Sequence, residues 1–119
     1  VKKDFVKSIK ALKGLNIEPT YYRAPWGHIN LAILHEIKKY HLKMFIWDVM
    51  AEDWEGSTTS EIIKNKIIKR TKNGNIICLH DGRGSNNAPK KTFDALKEAI
   101  PYLLNKGYIF DTVDHYEET

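Results

Sequence analysis

Helical hydrophobic spacing recurs in four stretches of the chain. Residues 3–13 place apolar side chains three or four apart with lysines between them, and residues 30–40 repeat the pattern as one apolar stripe. The run Thr58-Thr59-Ser60-Glu61 is a capping-box pattern that opens a third helix. A fourth helix is expected from about Pro89 to Asn105, with a kink or a restart at Pro101 because proline cannot donate the helical hydrogen bond.

Short β-prone or apolar runs lie between these helices and predict strands. They cover residues 20–22, 43–47, 75–80 and 108–113. Helix and strand alternate four times, which favours an α/β fold with a parallel sheet covered by helices. Right-handed crossovers would bring every strand-to-helix loop to one edge of that sheet, where such folds carry their chemistry. Because the chain has no repeats or linkers, we expect residues 1–119 to form a single domain.

Composition and charge exclude several classes of protein. The 119 residues are 42% hydrophobic and 29% charged, a globular balance, and the longest unbroken runs of hydrophobic residues, such as residues 76–79, are too short to span a membrane. The single cysteine excludes an internal disulfide and a four-cysteine zinc site. The net charge of +4 resides in the first 14 residues, where five lysines accompany one aspartate. A solvated helix face explains this charge better than a nucleic-acid-binding module does.

His80 is the first candidate for proton transfer. It ends a predicted buried strand, and Asp48 or Asp53 on a neighbouring strand-end loop could fix its tautomer and orientation. A histidine that merely caps the strand through hydrogen bonds explains the same position equally well. The other histidines show no spacing typical of a metal site, and we expect them on the surface or in packing contacts: His28, His35, His41 and His115.

Arg23 and the tryptophans are the candidate binding residues. Arg23 ends the first predicted strand, where it could clamp a carboxylate through two hydrogen bonds or form a surface ion pair of little energetic worth. Trp26, Trp47 and Trp54 lie in or beside the strand-end loops. Exposed tryptophan faces can stack on sugar rings, but most tryptophans belong to the core, so both interpretations stay open for each.

Three segments, taken in order and spacing, resemble motifs of the polysaccharide deacetylases, the NodB-homology enzymes of carbohydrate esterase family 4. They are Tyr22-Arg23-Ala24-Pro25-Trp26-Gly27, similar to R-P-P-Y-G; Phe45 to Trp54, similar to W-D-x-x-x-x-D-W; and Ile76 to Asp81, similar to a strand that ends L-x-H-D. The turn from Asn105 to Phe110 looks like the family's final helix-to-strand turn, so the resemblance covers about residues 10 to 113. It implies the C-terminal part of a distorted (β/α) barrel and metal-dependent removal of acetyl groups from chitin, peptidoglycan or xylan.

The resemblance also implies roles for single residues. His80 would be the general acid that protonates the departing amine or hydroxyl, and Asp53 would hydrogen-bond His80 and hold it charged and oriented. Arg23 would pair with the catalytic base, and the backbone N–H of Trp26 would help to stabilise the oxyanion. Cys78 replaces the leucine that usually lines the acetyl pocket, which would leave that pocket roomier. The substrate-binding residues implied in this way are Pro25, Trp26, Trp54 and Cys78.

Two motifs of the family do not occur in these 119 residues. T-F-D-D-G would carry the catalytic base and one metal ligand, and H-x-x-x-H would carry two histidine ligands. The full family domain would need a divalent, zinc-like cation, but this chain has no predicted metal ligand. We therefore expect the chain alone to bind no catalytic metal and to have negligible deacetylase activity. Barrel strands without their neighbours would leave unpaired edges, so we also expect a homo-oligomer that covers them.

Partners and location follow from the same resemblance. The expected partner is an acetylated polysaccharide or oligosaccharide, with no nucleic acid and no membrane span. The parent protein would be secreted or displayed on the cell surface, with its signal sequence upstream because this chain contains none. A non-catalytic carbohydrate-binding or vestigial module is the alternative, since an aromatic-lined cleft can persist without hydrolysis. A basic nucleic-acid module would rest on residues 1–14 alone.

Overall fold

Helices and very short strands alternate along the part of the chain that the computed structural model describes, residues 2–82 and 84–116. The helices are α1 (Lys2–Gly14), α2 (Leu31–Lys39), α3 (Ser60–Arg70) and α4 (Ala88–Asn105). The strands are β1 (Tyr21–Tyr22), β2 (Lys43–Met44), β3 (Val49–Met50) and β4 (Ile77–Cys78). Short 3-10 turns cover Pro25–Gly27 and Val113–His115. These elements form two compact units, one that ends at Ile46 and one that begins at Trp47.

The first unit is built on the packing of α1 against α2. Asn30 caps α2, because its Oδ1 accepts a hydrogen bond from the backbone N–H of Ile33 at 2.9 Å. β1 and β2 pair in parallel, and the chain leaves β1 at Arg23. The buried apolar residues of this unit form one cluster: Phe5, Ile9, Ile33, Ile37 and Leu42.

The second unit centres on α3 and α4. Thr59 caps α3, since its hydroxyl accepts a hydrogen bond from a backbone N–H of the first turn at 3.2 Å. β3 and β4 pair in parallel, so the loop after β3 and the residues after β4 leave this small sheet at the same end. The apolar core of the unit consists of Ala51, Ile63, Ile67, Ala95, Ala99 and Leu103.

The sheet differs from the predicted one. Each strand is two residues long, and the strands form two separate two-stranded sheets, one in each unit. The prediction of a last strand over residues 108–113 is wrong, since none of the strands assigned in the described residues falls there. A strand is defined by its ladder of hydrogen bonds, and the described residues place no partner strand beside this segment.

Two helix ends also differ in detail from the sequence pattern. Thr59, not Thr58, is the cap of α3; Thr58 is buried, and its hydroxyl donates to the carbonyl oxygen of Glu52 at 3.1 Å. Helix α4 begins at Ala88 and passes through Pro101 without a restart. None of the helices in residues 2–82 and 84–116 is both long and apolar enough to cross a membrane.

Candidate active site

A buried carboxylate joins the loop after β3 to the end of β4. Asp53 lies three residues beyond β3, and its side chain is completely buried. Its Oδ1 is 2.8 Å from Nδ1 of His80, and its Oδ2 accepts a hydrogen bond from the backbone N–H of His80 at 2.7 Å. One carboxylate therefore contacts both the ring and the backbone of His80, and the structure brings these two predicted site residues into direct contact.

Thr92 of α4 adds a third hydrogen bond to the Asp53 carboxylate. Its buried Oγ1 donates to Asp53 Oδ2 at 2.9 Å and lies 3.2 Å from the carbonyl oxygen of Ala88. The charged acceptor gives the stronger bond. Sequence reasoning missed Thr92, although a signal was present: it shares the inner face of α4 with Ala95 and Ala99. A hydroxyl on an apolar face needs a buried partner.

The ring of His80 is held on one side and accessible on the other. With Nδ1 against Asp53, Nε2 is the nitrogen on the opposite side of the imidazole, and 43% of the side chain is exposed. Trp54 meets the ring edge-on, with ring centroids 5.4 Å apart and planes inclined at 74°. An imidazole held in this way can give a proton to a bound molecule, or take one from it, at Nε2.

The loop that carries Asp53 is attached to both helices of its unit. Glu52 adopts a left-handed backbone conformation, with φ at 48°, and its carboxylate forms an ion pair with Lys66 of α3. On the other side of Asp53, Lys91 of α4 donates through Nζ to the carbonyl oxygen of Gly56 at 2.9 Å. These contacts fix the backbone before and after the carboxylate.

Gly84 permits a close approach to the backbone of Trp54. Its φ is +92°, and a Cβ placed on it would lie 2.9 Å from the carbonyl oxygen of Trp54 and 2.8 Å from Cβ of Ala88. Any other residue would therefore combine an unfavourable backbone conformation with a steric clash. The sequence predicts a plain turn at Gly84 and not this contact, because a glycine in a polar turn carries no sign of what lies against it.

Asp48, the second carboxylate considered for His80, has a structural role. Its Oδ2 accepts a hydrogen bond from the backbone N–H of Ile76 at 2.7 Å, which joins the starts of β3 and β4. The backbone N–H of Asp48 donates in turn to the carbonyl oxygen of Ile76 at 2.8 Å. Of the two carboxylates, Asp53 is the one that contacts the imidazole.

Three of the predicted binding residues belong to the first unit and line one groove. Arg23, Pro25 and Trp26 border a groove of about 530 Å³ against α1. Trp26 has a left-handed φ of 58° and is 87% exposed. In the second unit, Cys78 is buried in β4. The binding roles of these residues stay predictions.

The described residues do not provide a metal site. In residues 2–82 and 84–116, no group of three or more histidine, cysteine, aspartate or glutamate side chains is arranged to hold a metal ion. This donor set does not fit the divalent cation that the family resemblance implies.

An exposed histidine–aspartate pair near the C-terminus provides a contrast. His115 Nδ1 lies 2.7 Å from Oδ1 of Asp111, and both side chains are more than half exposed. The hydrogen bond that Asp111 accepts from the His115 ring raises the pKa of His115 and lowers the pKa of Asp111. Exposed ion pairs of this kind contribute little to stability. Burial of the carboxylate is what distinguishes the pair at His80.

Known proteins share both the sequence and the fold of this chain, although no family model matches it. The peptidoglycan-N-acetylglucosamine deacetylase of Bacillus cereus is 34% identical over 114 residues, which are 94% of this chain and 48% of that protein. The CE4 domain of a multidomain xylanase from the hindgut metagenome of Trinervitermes trinervoides superposes with a TM-score of 0.77 at 26% identity, over 97% of this chain and 53% of that one. The chain belongs to carbohydrate esterase family 4.

A further family 4 structure shows the same likeness. The acetyl xylan esterase of Clostridium thermocellum, solved in complex with a cobalt ion, gives a TM-score of 0.72 at 28% identity, over 88% of this chain and 48% of that one. The resemblance to polysaccharide deacetylases and the α/β fold class related to a (β/α) barrel are thereby confirmed. The chain spans about half the length, or less, of the curated relatives that it matches.

Proposed function

We propose that this chain forms part of a hydrolase that removes acetyl groups from an N- or O-acetylated cell-wall or chitin-like glycan. Relatives named for peptidoglycan N-acetylglucosamine and for acetyl xylan support this class of substrate. The observation that carries the proposal is the 2.8 Å contact between His80 Nδ1 and the fully buried Asp53 carboxylate. It leaves an oriented imidazole with its second nitrogen available to substrate.

His80 acts in this proposal as the general acid. As water adds to the acetyl carbonyl, it gives one proton to the catalytic base that another part of the family domain would carry. When the carbon–nitrogen or carbon–oxygen bond breaks, Nε2 of the imidazolium gives its proton to the departing nitrogen or oxygen. The imidazole is then neutral, and the departing group leaves as an amine or a hydroxyl. Asp53 stabilises the imidazolium and keeps Nδ1 protonated, so the transferable proton stays at Nε2.

The other predicted residues keep in this proposal the roles that the family resemblance implies. Arg23 would pair with a catalytic base carried by another part of the family domain, and the backbone N–H of Trp26 would donate to the oxyanion. Pro25, Trp54 and Cys78 would contact the sugar or its acetyl group. Support comes from the exposure of Trp26 beside its groove and from the edge-on contact between Trp54 and His80.

The chain alone would be inactive under this proposal. Its described residues offer no donor cluster for a divalent cation, and no T-F-D-D-G or H-x-x-x-H motif stands in the sequence. A longer parent protein would supply both motifs and would act outside the cell, where acetylated wall polymers are found. Residues of this chain would then contribute the acid side of the site.

Acetate release from chitooligosaccharides, peptidoglycan and acetylated xylan tests the proposal. The 119-residue chain alone should release none and should hold no stoichiometric zinc. In a longer natural protein with both missing motifs, His80→Ala should lower turnover by about 10²- to 10⁴-fold while metal content stays unchanged. His115→Ala removes the exposed histidine of the other pair and is the matched control, with unchanged turnover expected. Full activity of the His80 variant would contradict the proposal.

A non-catalytic carbohydrate-binding module is the second candidate, and the 87% exposure of Trp26 beside the groove favours it. Binding of a chitooligosaccharide to the chain alone, weakened at least tenfold by Trp26→Ala, would support this candidate. Leu31 is similarly exposed, at 85%, on helix α2, so Leu31→Ala is the control that should leave binding unchanged. A polyanion that binds with steep salt dependence would indicate nucleic acid instead.

We also propose that the chain self-associates through its exposed apolar segments. Ile109 is 88% exposed, and Phe110 beside it is half exposed, in a segment that the described residues pair with no strand. Contiguous exposed apolar side chains favour contact with a second copy of the chain.

A further inference from the structure

The Asp53 carboxylate is held at both of its oxygens. Oδ1 faces the ring of His80, whereas Oδ2 accepts two hydrogen bonds, one from the backbone N–H of His80 at 2.7 Å and one from Thr92 Oγ1 at 2.9 Å. The second donor stands on a different element, helix α4. Two donors on one oxygen restrict how the carboxylate plane can turn, and the plane decides where the lone pairs of the other oxygen point.

Helix α4 gives the Thr92 hydroxyl a fixed position. Thr92 is only 5% exposed, and Ala95 and Ala99, on the same face of the helix, belong to the core that α4 shares with α3. A threonine inside a helix commonly bonds the carbonyl four residues earlier. Here that carbonyl, of Ala88, lies 3.2 Å from Oγ1, farther than the carboxylate oxygen.

We infer that Thr92 is a positioning residue: its hydroxyl orients the Asp53 carboxylate, and through it the proton-bearing nitrogen of His80. The inference rests on the proposed role of His80 as general acid. Without the hydroxyl, Oδ2 loses one of its two donors and the carboxylate can turn about the remaining bond. The contact that favours a proton on Nδ1 is then weaker, so a larger fraction of the neutral His80 rings carries its proton on Nε2.

Nitrogen-15 NMR of the His80 imidazole tests this inference in the chain itself. At a pH where the ring is neutral, the two nitrogen shifts give the ratio of the Nδ1–H form to the Nε2–H form. Thr92→Val keeps the shape of the side chain and removes the hydroxyl; it should lower this ratio roughly fivefold to tenfold, about the net effect of one ordinary hydrogen bond. Thr92→Ser keeps the hydroxyl and should retain the wild-type ratio.

Thr58→Val is the matched control. Thr58 is equally buried in the same unit, but its hydroxyl donates to a backbone carbonyl, that of Glu52. Thr58→Val should lose about as much thermal stability as Thr92→Val, while the ratio of the Nδ1–H to the Nε2–H form of His80 stays unchanged.

An unchanged ratio in Thr92→Val, or an equal fall in Thr58→Val, would overturn the inference and leave Thr92 a packing residue. If Thr92→Val does not fold, Thr92→Ser still decides, since a lowered ratio there would contradict a role for the hydroxyl. The readout does not use acetate release. A failure of the proposed function would therefore appear in the turnover of His80→Ala and not in these spectra.

Discussion

Asp53 is the residue at which several contacts of the second unit meet. Its buried carboxylate accepts hydrogen bonds from the His80 backbone, the His80 ring and the Thr92 hydroxyl. Burial of a carboxylate is costly unless hydrogen bonds replace its water, and these three donors do so. The residue therefore serves the stability of the second unit and the orientation of His80 at the same time.

Asp53→Asn should destabilise the chain measurably. The amide presents an NH₂ group where the carboxylate had an acceptor, so either one of the three donors faces another donor or the His80 ring moves its proton from Nδ1 to Nε2. The free energy of unfolding should fall by about 1 to 3 kcal/mol in urea denaturation. Asp48→Asn, at an exposed carboxylate with one bond to Ile76, is the control and should change it by less than about 0.5 kcal/mol. Equal losses for the two variants would show that the hydrogen bonds between Asp53, His80 and Thr92 add nothing to the free energy of unfolding.

Gly84→Ala should strain the contact with Trp54. The new Cβ would meet the Trp54 carbonyl oxygen, and φ there is +92°. We expect a loss of about 1 to 3 kcal/mol in the free energy of unfolding. Gly74→Ala separates the two causes, because Gly74 has φ of +80° and open space around it. A loss no greater than that of the Gly74 variant would mean that the close approach carries no cost.

At the scale of whole elements, helices α3 and α4 pack against each other through small residues of α4. Ala95 and Ala99 of α4 pack with Ile63 and Ile67 of α3 in the core of the second unit, all of them almost fully buried. The small side chains leave room for the isoleucines. This packing also fixes the start of α4, from which Thr92 and Lys91 contact the loop that carries Asp53.

Ala99→Leu should force the two helices apart. Extra methylene groups in a well-packed core cost about 1 to 3 kcal/mol, and the thermal midpoint should fall accordingly. Glu98→Leu introduces the same side chain at a neighbouring position that is 65% exposed, and it should shift stability by no more than about 0.5 kcal/mol. A thermal midpoint for Ala99→Leu equal to that of the control would contradict the packing described.

The elements differ in how far the sequence predicts them. Helix spacing and caps are local, so α1 to α4 appear close to their predicted positions. Strand pairing is not local: Val49 pairs with Ile77, far along the chain, and periodicity cannot reveal the length of such a pair. For the site, the residues alone left Asp48 and Asp53 equally possible beside His80. The motif resemblance favoured Asp53, and only the fold revealed Thr92 and Gly84.

At the scale of the whole molecule, the exposed apolar side chains affect whether the chain is a monomer or an oligomer in solution. Ile109→Asp should reduce self-association, because it places a charge in the exposed segment after α4. Sedimentation at tens of micromolar should show the wild-type chain as an oligomer and the variant shifted toward monomer. Leu31→Asp, at an equally exposed leucine on α2, controls for added charge. A wild-type chain that sediments as a monomer would contradict the proposed association.

The backbone N–H of His80 bonds to a side chain and not to a neighbouring strand. The exchange of its hydrogen with deuterium therefore depends on how often the hydrogen bond to the Asp53 carboxylate breaks. The amides inside α3 and α4 exchange when a helix opens. The signal of this one amide therefore reports how long the Asp53 carboxylate holds His80 in position. If this amide exchanges faster than the helix amides, the contact between Asp53 and His80 opens while the chain is still folded. On warming, His80 would then lose its orientation before the protein unfolds.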